Sequence, residues 1–390
     1  MSRLKELVEQ LCPDGVEYRP IKELYTKLRG TPITAATMKK IADDDGDTII
    51  FAGGKTVVRA NESDIPKANV IRRPSVVVQS RGVIDFIYCD EPFTFKNEMW
   101  AYTCDDVDRV KYLCYVLRSN AEKFRTLASA MSSLPQIASR DTEMFCIPVP
   151  PIEVQREVVR ILDSFQELDD ALTAEIEARE RQLRYVRAKV YTDTSYPIVT
   201  LGSIGKFERG RRFTRAQMGG TGTPCIHYGD IYTKDCYIAR EPFDRLTDDA
   251  PNVLRYANKG DVVIAATSEN AEEVCTAVVW DCDEKAAVHD DCQILHHNQN
   301  PIYLSMFFNS DPFMAQKMRF VTESKVVRIS GDEMAQIRLP LPPIEVQNEI
   351  AANMENLMDL MKSIDSERNA RRRQLAYYRD ELLTFSKRVA

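Results

Sequence analysis

No two of the ten cysteines are spaced C-x-x-C, and their intervals are irregular, so the chain encodes neither a disulfide framework nor a structural zinc site. They read as reduced, mostly buried thiols. No unbroken apolar run approaches the ~18 residues that a membrane span requires. The polar start, Met1-Ser2-Arg3-Leu4-Lys5-Glu6, lacks the apolar stretch of a signal peptide, so a cytoplasmic location without a membrane partner is expected. There is no Walker sequence, which excludes nucleotide hydrolysis by that route, and no glycine fingerprint opens a helix after a strand. A methyltransferase would also need an Asn/Asp-Pro-Pro-aromatic element to hold a flipped base, and Asp311-Pro312-Phe313 lacks the second proline. Excess positive charge is missing too. A net charge of -7 means that any grip on nucleic acid must come from local basic patches or from partners.

What is present is a globular composition, 44% hydrophobic and 28% charged, over 390 residues. That length is too great for one ordinary core and predicts two domains or more. The chain is in fact written twice. Pro148-Val149-Pro150-Pro151-Ile152-Glu153-Val154-Gln155-Arg156-Glu157 returns as Pro340-Leu341-Pro342-Pro343-Ile344-Glu345-Val346-Gln347-Asn348-Glu349. At the same offset, Arg179-Glu180-Arg181-Gln182-Leu183-Arg184-Tyr185-Val186-Arg187 returns as Arg371-Arg372-Arg373-Gln374-Leu375-Ala376-Tyr377-Tyr378-Arg379. Upstream the likeness is fainter, with Tyr112-Leu113 against Tyr303-Leu304 and Arg29-Gly30 against Arg209-Gly210. The unit is a divergent globular part followed by a similar helical part. Similar segments keep one geometry, and divergent segments are free to contact different things.

Each Pro-Pro opens a long helix, because proline suits the first turn and Glu153, Glu157, Glu345 and Glu349 sit at the positive end of the helix dipole. Val158, Ile161, Phe165, Leu168 and Leu172 alternate spacings of three and four, and Leu183 follows further on, as in the seam of a coiled coil. The second helix repeats the pattern with Ile350, Met354, Leu357, Met361, Ile364, Leu375, Tyr378, Leu382 and Phe385, interrupted at Arg368 and Arg371. A helix of ~38 residues is ~57 Å long, more than a small domain covers, so each is expected to pair antiparallel with the other. The expected organisation is residues 1–146 and 195–338 as α/β (α+β) domains, with 147–194 and 339–390 as helical spacers and a pseudo-two-fold internal repeat.

Catalytic constellations are few. Glu323-Ser324-Lys325, with Asp311 upstream, has the outline of a metal-dependent nuclease site, but such triplets arise by chance in an ordinary composition. His296-His297, near Cys292 and His289, cannot easily aim at one ion from a strand, so no metal site is expected. Basic clusters remain. Arg209, Arg211, Arg212 and Arg215 surround Gly210, a pattern suited to phosphate or guanine contact. In the first copy Lys27, Arg29, Lys39, Lys40, Lys55, Arg59 and Arg81 are spread more thinly. Lys234, Lys325 and Arg328 complete the candidate DNA contacts, chosen from charge and loop context.

With these residues in view, the chain resembles the specificity subunit of type I restriction-modification systems. Leu11-Cys12-Pro13-Asp14-Gly15-Val16-Glu17-Tyr18 is similar to that family's amino-terminal entry. The paired Pro-Pro-x-Glu-x-Gln elements at 150–155 and 342–347, each ahead of a helix ending Arg-Gln-Leu-x-Tyr-x-Arg, are similar to its two shared regions. The resemblance implies two target recognition domains, each reading half of a bipartite double-stranded DNA site, with the helices fixing the gap. It implies no catalysis by this chain and no cofactor bound to it. S-adenosylmethionine would sit on two modification (adenine methyltransferase) subunits, and ATP and Mg on two restriction (translocase and nuclease) subunits. The alternative is a free-standing, non-enzymatic adapter that binds DNA or protein through duplicated domains.

Overall fold

The computed structural model describes residues 2–129, 135–234, 237–251, 253–321 and 326–388. The chain forms two compact units, Met1–Ala171 with Glu367–Ala390, and Leu172–Ser366. Each unit therefore contains one globular part and a portion of each long helix.

In unit 1 a four-stranded antiparallel sheet runs in the order Thr26–Leu28, Trp100–Thr103, Ser75–Gln79, Asp85–Cys89. Side chains alternate between its faces. Val76, Val78, Phe86 and Tyr102 join the core that contains the helix Val107–Ser119, whereas Val77 and Ala101 face Phe93 and Phe95 on the other side. Burial on both faces explains why Ser75–Gln79 reads as a continuous apolar run rather than an alternation. A three-stranded sheet, Val57–Ala60, Thr48–Phe51, Phe93–Phe95, covers the second face, and its Thr48–Phe51 and Phe93–Phe95 strands run parallel. The helix Ala35–Ile41 closes that layer with Met38 against Ile50 and Ala52.

Unit 2 repeats this plan. Its five-stranded sheet runs Gly205–Arg209, Cys292–His297, Val262–Ala265, Ala277–Trp280, Ile238–Ala239, the same order with one edge strand added. Val262, Ile264 and Val279 face the helix Pro301–Phe308, and Val263, Ala265 and Val278 face the opposite way. The covering sheet, Asp244–Arg245, Pro224–Ile226, Ala286–Val288, Tyr256–Ala257, again has a parallel pair, here at its centre. The α+β form of the expected class is what each unit shows.

The helical stretches spanning about 109–128 and 301–319 are each broken in two. Val107–Ser119 ends at Asn120, whose side chain bonds back to the Val116 carbonyl, before Ala121–Ser129 begins. Pro301–Phe308 stops at Asn309 because Ser310 caps a new helix, Asp311–Lys317, with Pro312 in its first turn.

The long helices, Ile152–Tyr191 and Ile344–Leu382, start in the same way. Val154 and Gln155 donate backbone N–H groups to the Pro151 carbonyl, as Val346 and Gln347 do to Pro343. The buried Gln155 side chain donates to the Pro150 carbonyl at 2.7 Å, and Gln347 to Pro342 at 2.9 Å. The glutamine of the repeated motif thus satisfies a carbonyl that the prolines leave without a helical donor.

Within unit 1 the two helices run antiparallel, since the Phe165 ring lies tilted beside Tyr378 (6.3 Å between rings) and Asp169 accepts two bonds from Arg372 (2.6 and 2.8 Å). Val158, Ile161 and Leu382 are buried in the unit 1 core, with Phe165 and Leu375 packed against it. In unit 2, Leu183 and Met354 are buried and Leu357 and Met361 pack beside them. Leu168, Leu172 and Ile364, expected in the seam, are half-buried. Among the described residues no helix is long and apolar enough to cross a membrane.

Candidate nucleic-acid interface

Open sheets offer ligands a crevice beyond the carboxyl ends of adjacent parallel strands, where the chain departs in different directions. Each unit has such a pair in its covering sheet. In unit 1, Thr48–Phe51 and Phe93–Phe95 lead into Ala52-Gly53-Gly54-Lys55 and Lys96-Asn97-Glu98. In unit 2, Pro224–Ile226 and Ala286–Val288 lead into His227-Tyr228-Gly229 and His289-Asp290-Asp291.

Matched backbone bonds make these places equivalent. Lys96 N–H donates to the Phe51 carbonyl and His289 N–H to Ile226, each at 3.0 Å. Thr31 N–H donates to Phe95 at 2.8 Å and Arg211 N–H to Val288 at 2.9 Å. The residue before each of those donors is a glycine pressed against the departing strand. A Cβ on Gly30 would stand 1.9 Å from the Phe95 carbonyl oxygen, and one on Gly210 would stand 2.1 Å from that of His289. The faint Arg29-Gly30 and Arg209-Gly210 likeness thus marks one structural position, a close approach that only glycine permits.

The two crevices differ in lining. In unit 1 a space of about 610 Å³ is bounded by Met38, Lys39, Gly53, Gly54, Arg81, Lys96 and Glu98. Gly54 N–H bonds to the Arg81 carbonyl (3.0 Å), and the buried Gln79 amide holds the Gly54 carbonyl (2.6 Å), so the glycine loop is tied to Arg81. Lys96 pairs with Glu98 at 2.8 Å. In unit 2 the crevice is aromatic. The His227 and His289 rings lie 4.5 Å apart, with Tyr228 beside His227 and Phe213 edge-on to His289. Burial, the leading cause, lowers the pKa of both histidines, so each is a neutral ring with a donor and an acceptor nitrogen near pH 7. The Arg215 guanidinium lies close to Gly229, a Cβ on which would stand 3.5 Å from it.

Four candidate cations are held by neighbouring carboxylates. Lys27 binds Glu143 (2.5 Å) and Ser139 (2.9 Å), Arg59 binds Glu91 (2.6 Å), Arg209 binds Asp290 (3.3 Å), and Arg328 binds Asp291 (3.4 Å). The Lys27 bond, the largest cause, lowers the Glu143 pKa. Arg29, Lys39, Lys40, Lys55, Arg81, Arg211, Arg212, Arg215 and Lys234 are exposed and make no ion pair among the described residues. Of these, Lys39 and Arg81 line the unit 1 crevice, with Lys55 next to its glycine loop, and Arg215 reaches the unit 2 crevice. Lys325 and Glu323 lie outside the described residues, so the nuclease outline has no described geometry. His289, Asp290 and Asp291 come close enough to hold a cation, yet both carboxylates already bind arginines.

Sequence reasoning missed Lys96, Glu98, Phe213, His227 and Tyr228. The signal available was positional: each lies within three residues of a short strand-forming run or its glycine. Chemically, each crevice offers arginine for guanine edges or phosphate, and carboxylate or neutral imidazole for base amino and ring-nitrogen groups.

Two copies of one domain, each with its own polar crevice and each joined to a length of paired helix, define a duplicated recognition protein. Residues 13–179 and 195–371 each match the type I restriction modification DNA specificity domain, and the chain belongs to that family. It is 24% identical over 412 residues to the type I restriction enzyme EcoR124I/EcoR124II specificity subunit of Escherichia coli, covering 99% of this chain and 98% of that one. It is 20% identical over 277 residues to the MjaVIII specificity subunit of Methanocaldococcus jannaschii, where the match spans 64% of each. A similar partial match, 64% of the relative's length, is found in Haemophilus influenzae. The fold is similar to the crystal structure of a type I restriction-modification S subunit from M. genitalium (TM-score 0.59, 16% identity, 94% and 95% coverage). It is also similar to a chain from a type I restriction-modification system studied for complex assembly and conformational transition (TM-score 0.55, 15% identity, 95% and 97% coverage).

Proposed function

We propose that the chain is the DNA-recognition subunit of a type I restriction-modification complex, in which each globular domain reads one half of a bipartite, asymmetric site. The observation that carries this reading is the crevice repeated at one topological position with different side chains. A shared scaffold fixes where the duplex is met, and the glycine-and-lysine lining of one copy against the histidine-and-tyrosine lining of the other calls for unlike base sequences.

The long helices act as the spacer that sets the gap between half-sites and as a docking surface for two modification subunits. Two restriction subunits complete the assembly. Because DNA turns once in about 10 bp, altering helix length should change the permitted gap in discrete steps. The chain itself is non-catalytic. S-adenosylmethionine serves adenine methylation on the modification subunits, and ATP and Mg serve translocation and cleavage on the restriction subunits. The acidic net charge is compatible with this division, since partner subunits can supply many of the phosphate contacts.

Co-expression with the neighbouring modification subunit in a methylation-free host, followed by long-read mapping of adenine methylation, tests the proposal. A split motif with two unlike halves and a fixed gap is expected. No new motif from a preparation in which both subunits are folded and associated would refute it.

A further inference from the structure

We infer that unit 2 carries a seat for a carboxylate side chain presented by a partner protein, a cavity of about 540 Å³ where both long helices meet the Asn309–Asp311 turn. The inference rests on the reading of the chain as one subunit of a complex and adds a chemical requirement for one contact within it.

Arg187 is the anchor. Its guanidinium donates to the Asn309 carbonyl at 2.8 Å and lies 5.7 Å from the Tyr237 ring centre. That leaves its Nε–H enclosed without an acceptor, a costly state for a charged group. Arg184 and Lys362 line the same cavity, are exposed, and make no ion pair among the described residues. Glu180 and Asp311 also border it, so three cations stand against two carboxylates that bond to none of them.

The internal repeat shows what is missing. Shifted by the repeat offset, Arg187 corresponds to Arg379, whose Nε binds the Asp380 carboxylate at 3.3 Å. Met361 and Lys362 correspond to Asp169 and Asp170, and Glu180 to Arg372, which makes the two-bond pair with Asp169. Unit 1 thus builds carboxylates into its own helices at positions where unit 2 has a methionine and a lysine. Unit 2 presents the cations and leaves the acid to be brought from outside.

Position favours protein over DNA as its source. The cavity lies on the side of the five-stranded sheet that carries the helix Pro301–Phe308, whereas the crevice at the parallel strand ends belongs to the opposite face. Leu183 and Met358 add apolar wall to the cavity, suited to the methylene stem of a glutamate more than to a phosphate chain.

The test is titration of the full chain with its modification subunit, comparing wild type with an Arg184→Glu/Lys362→Glu double variant and, separately, Arg187→Lys. The expected result is at least a tenfold rise in the dissociation constant for the double variant, with a flatter salt dependence, while melting temperature and DNA binding of the isolated chain stay the same. Arg187→Lys, which keeps the charge but removes the Nε–H, should weaken association by a smaller factor. A lysine-for-glutamate exchange on the modification subunit that restores binding to the double variant would confirm the pairing. Unchanged association in the double variant overturns the carboxylate seat alone. Loss of DNA binding with unchanged subunit affinity also overturns it, in favour of a phosphate contact. Failure of the wild-type chain to associate at all overturns the subunit reading and the seat together.

Discussion

Gly210→Ala tests whether the crevice of unit 2 depends on the close approach at the end of its parallel strands. The added methyl would meet the His289 carbonyl oxygen at 2.1 Å and that of Val288 at 2.3 Å, both of them backbone atoms that no side-chain rotation can move. Ordinary contact requires the two segments to part by more than about 1 Å. Separation on that scale also strains the Arg211 N–H bond to Val288 (2.9 Å) and the Gly210 N–H bond to Cys292 (3.1 Å). Overpacking of about 1–3 kcal/mol and loss of one backbone bond at about 0.5–1.5 kcal/mol give a total of about 2–4 kcal/mol. For a unit of this size that corresponds to a fall of roughly 5–15 °C in melting temperature, measurable by calorimetry. The same displacement moves His289 and Arg211, so the methylation map of the co-expressed complex should relax or lose one half of its motif and keep the other. Gly53→Ala is the control, because its methyl would meet nothing closer than 3.8 Å and should cost less than about 0.5 kcal/mol. A Gly210→Ala protein with unchanged melting temperature and an unchanged motif would refute the argument.

Arg81→Ala and Arg215→Ala should each degrade a different half of the site, with a penalty of about 1–3 kcal/mol if the arginine makes a two-bond base contact. Damage to the same half by both variants, read from methylation maps, would contradict separate reading by the two domains. In unit 1 the Asp169–Arg372 pair, whose Asp169 pKa is lowered chiefly by the arginine bond, should show a coupling of about 0.5–1 kcal/mol in a double-mutant cycle, since Arg372 is half exposed. A coupling of zero would remove the pair from the account of helix pairing. Burial, as the main cause, lowers the pKa of His227, His289 and His297, so unfolding takes up protons below the ordinary histidine pKa of about 6.5. The corresponding stability is present above that pH and is lost as pH falls toward the lowered folded values. All four histidines lie in unit 2, and in unit 1 Glu143 and Glu157 are carboxylates whose pKa is shifted down, so their contributions fade only in more acidic solution. Hydrogen exchange between pH 7.5 and 5.5 should therefore show unit 2 losing protection before unit 1, and equal loss in both would count against the assignment.

The duplication, the two long helices and the α+β character of the domains were determined by the sequence itself. Periodicity and motif spacing are local properties: the Pro-Pro-Ile-Glu-Val-Gln element carries its own helix start, and the seam residues recur along one helix whatever the rest of the chain does. The likeness of Arg29-Gly30 to Arg209-Gly210 was also visible, but its meaning was not, because it depends on carbonyls at Phe95 and His289 far along the chain. Only tertiary structure decided which basic residues face a crevice. Lys27 and Glu143 meet across 116 positions and Arg209 lies against Asp290 across 81, pairings that leave no trace in a charge count. Nor could spacing reveal that Gly53 and Lys96, or His227 and His289, end adjacent parallel strands. Helix and strand patterns are set within a few residues by side-chain period, whereas a recognition surface is set by which distant segments the sheet order brings together.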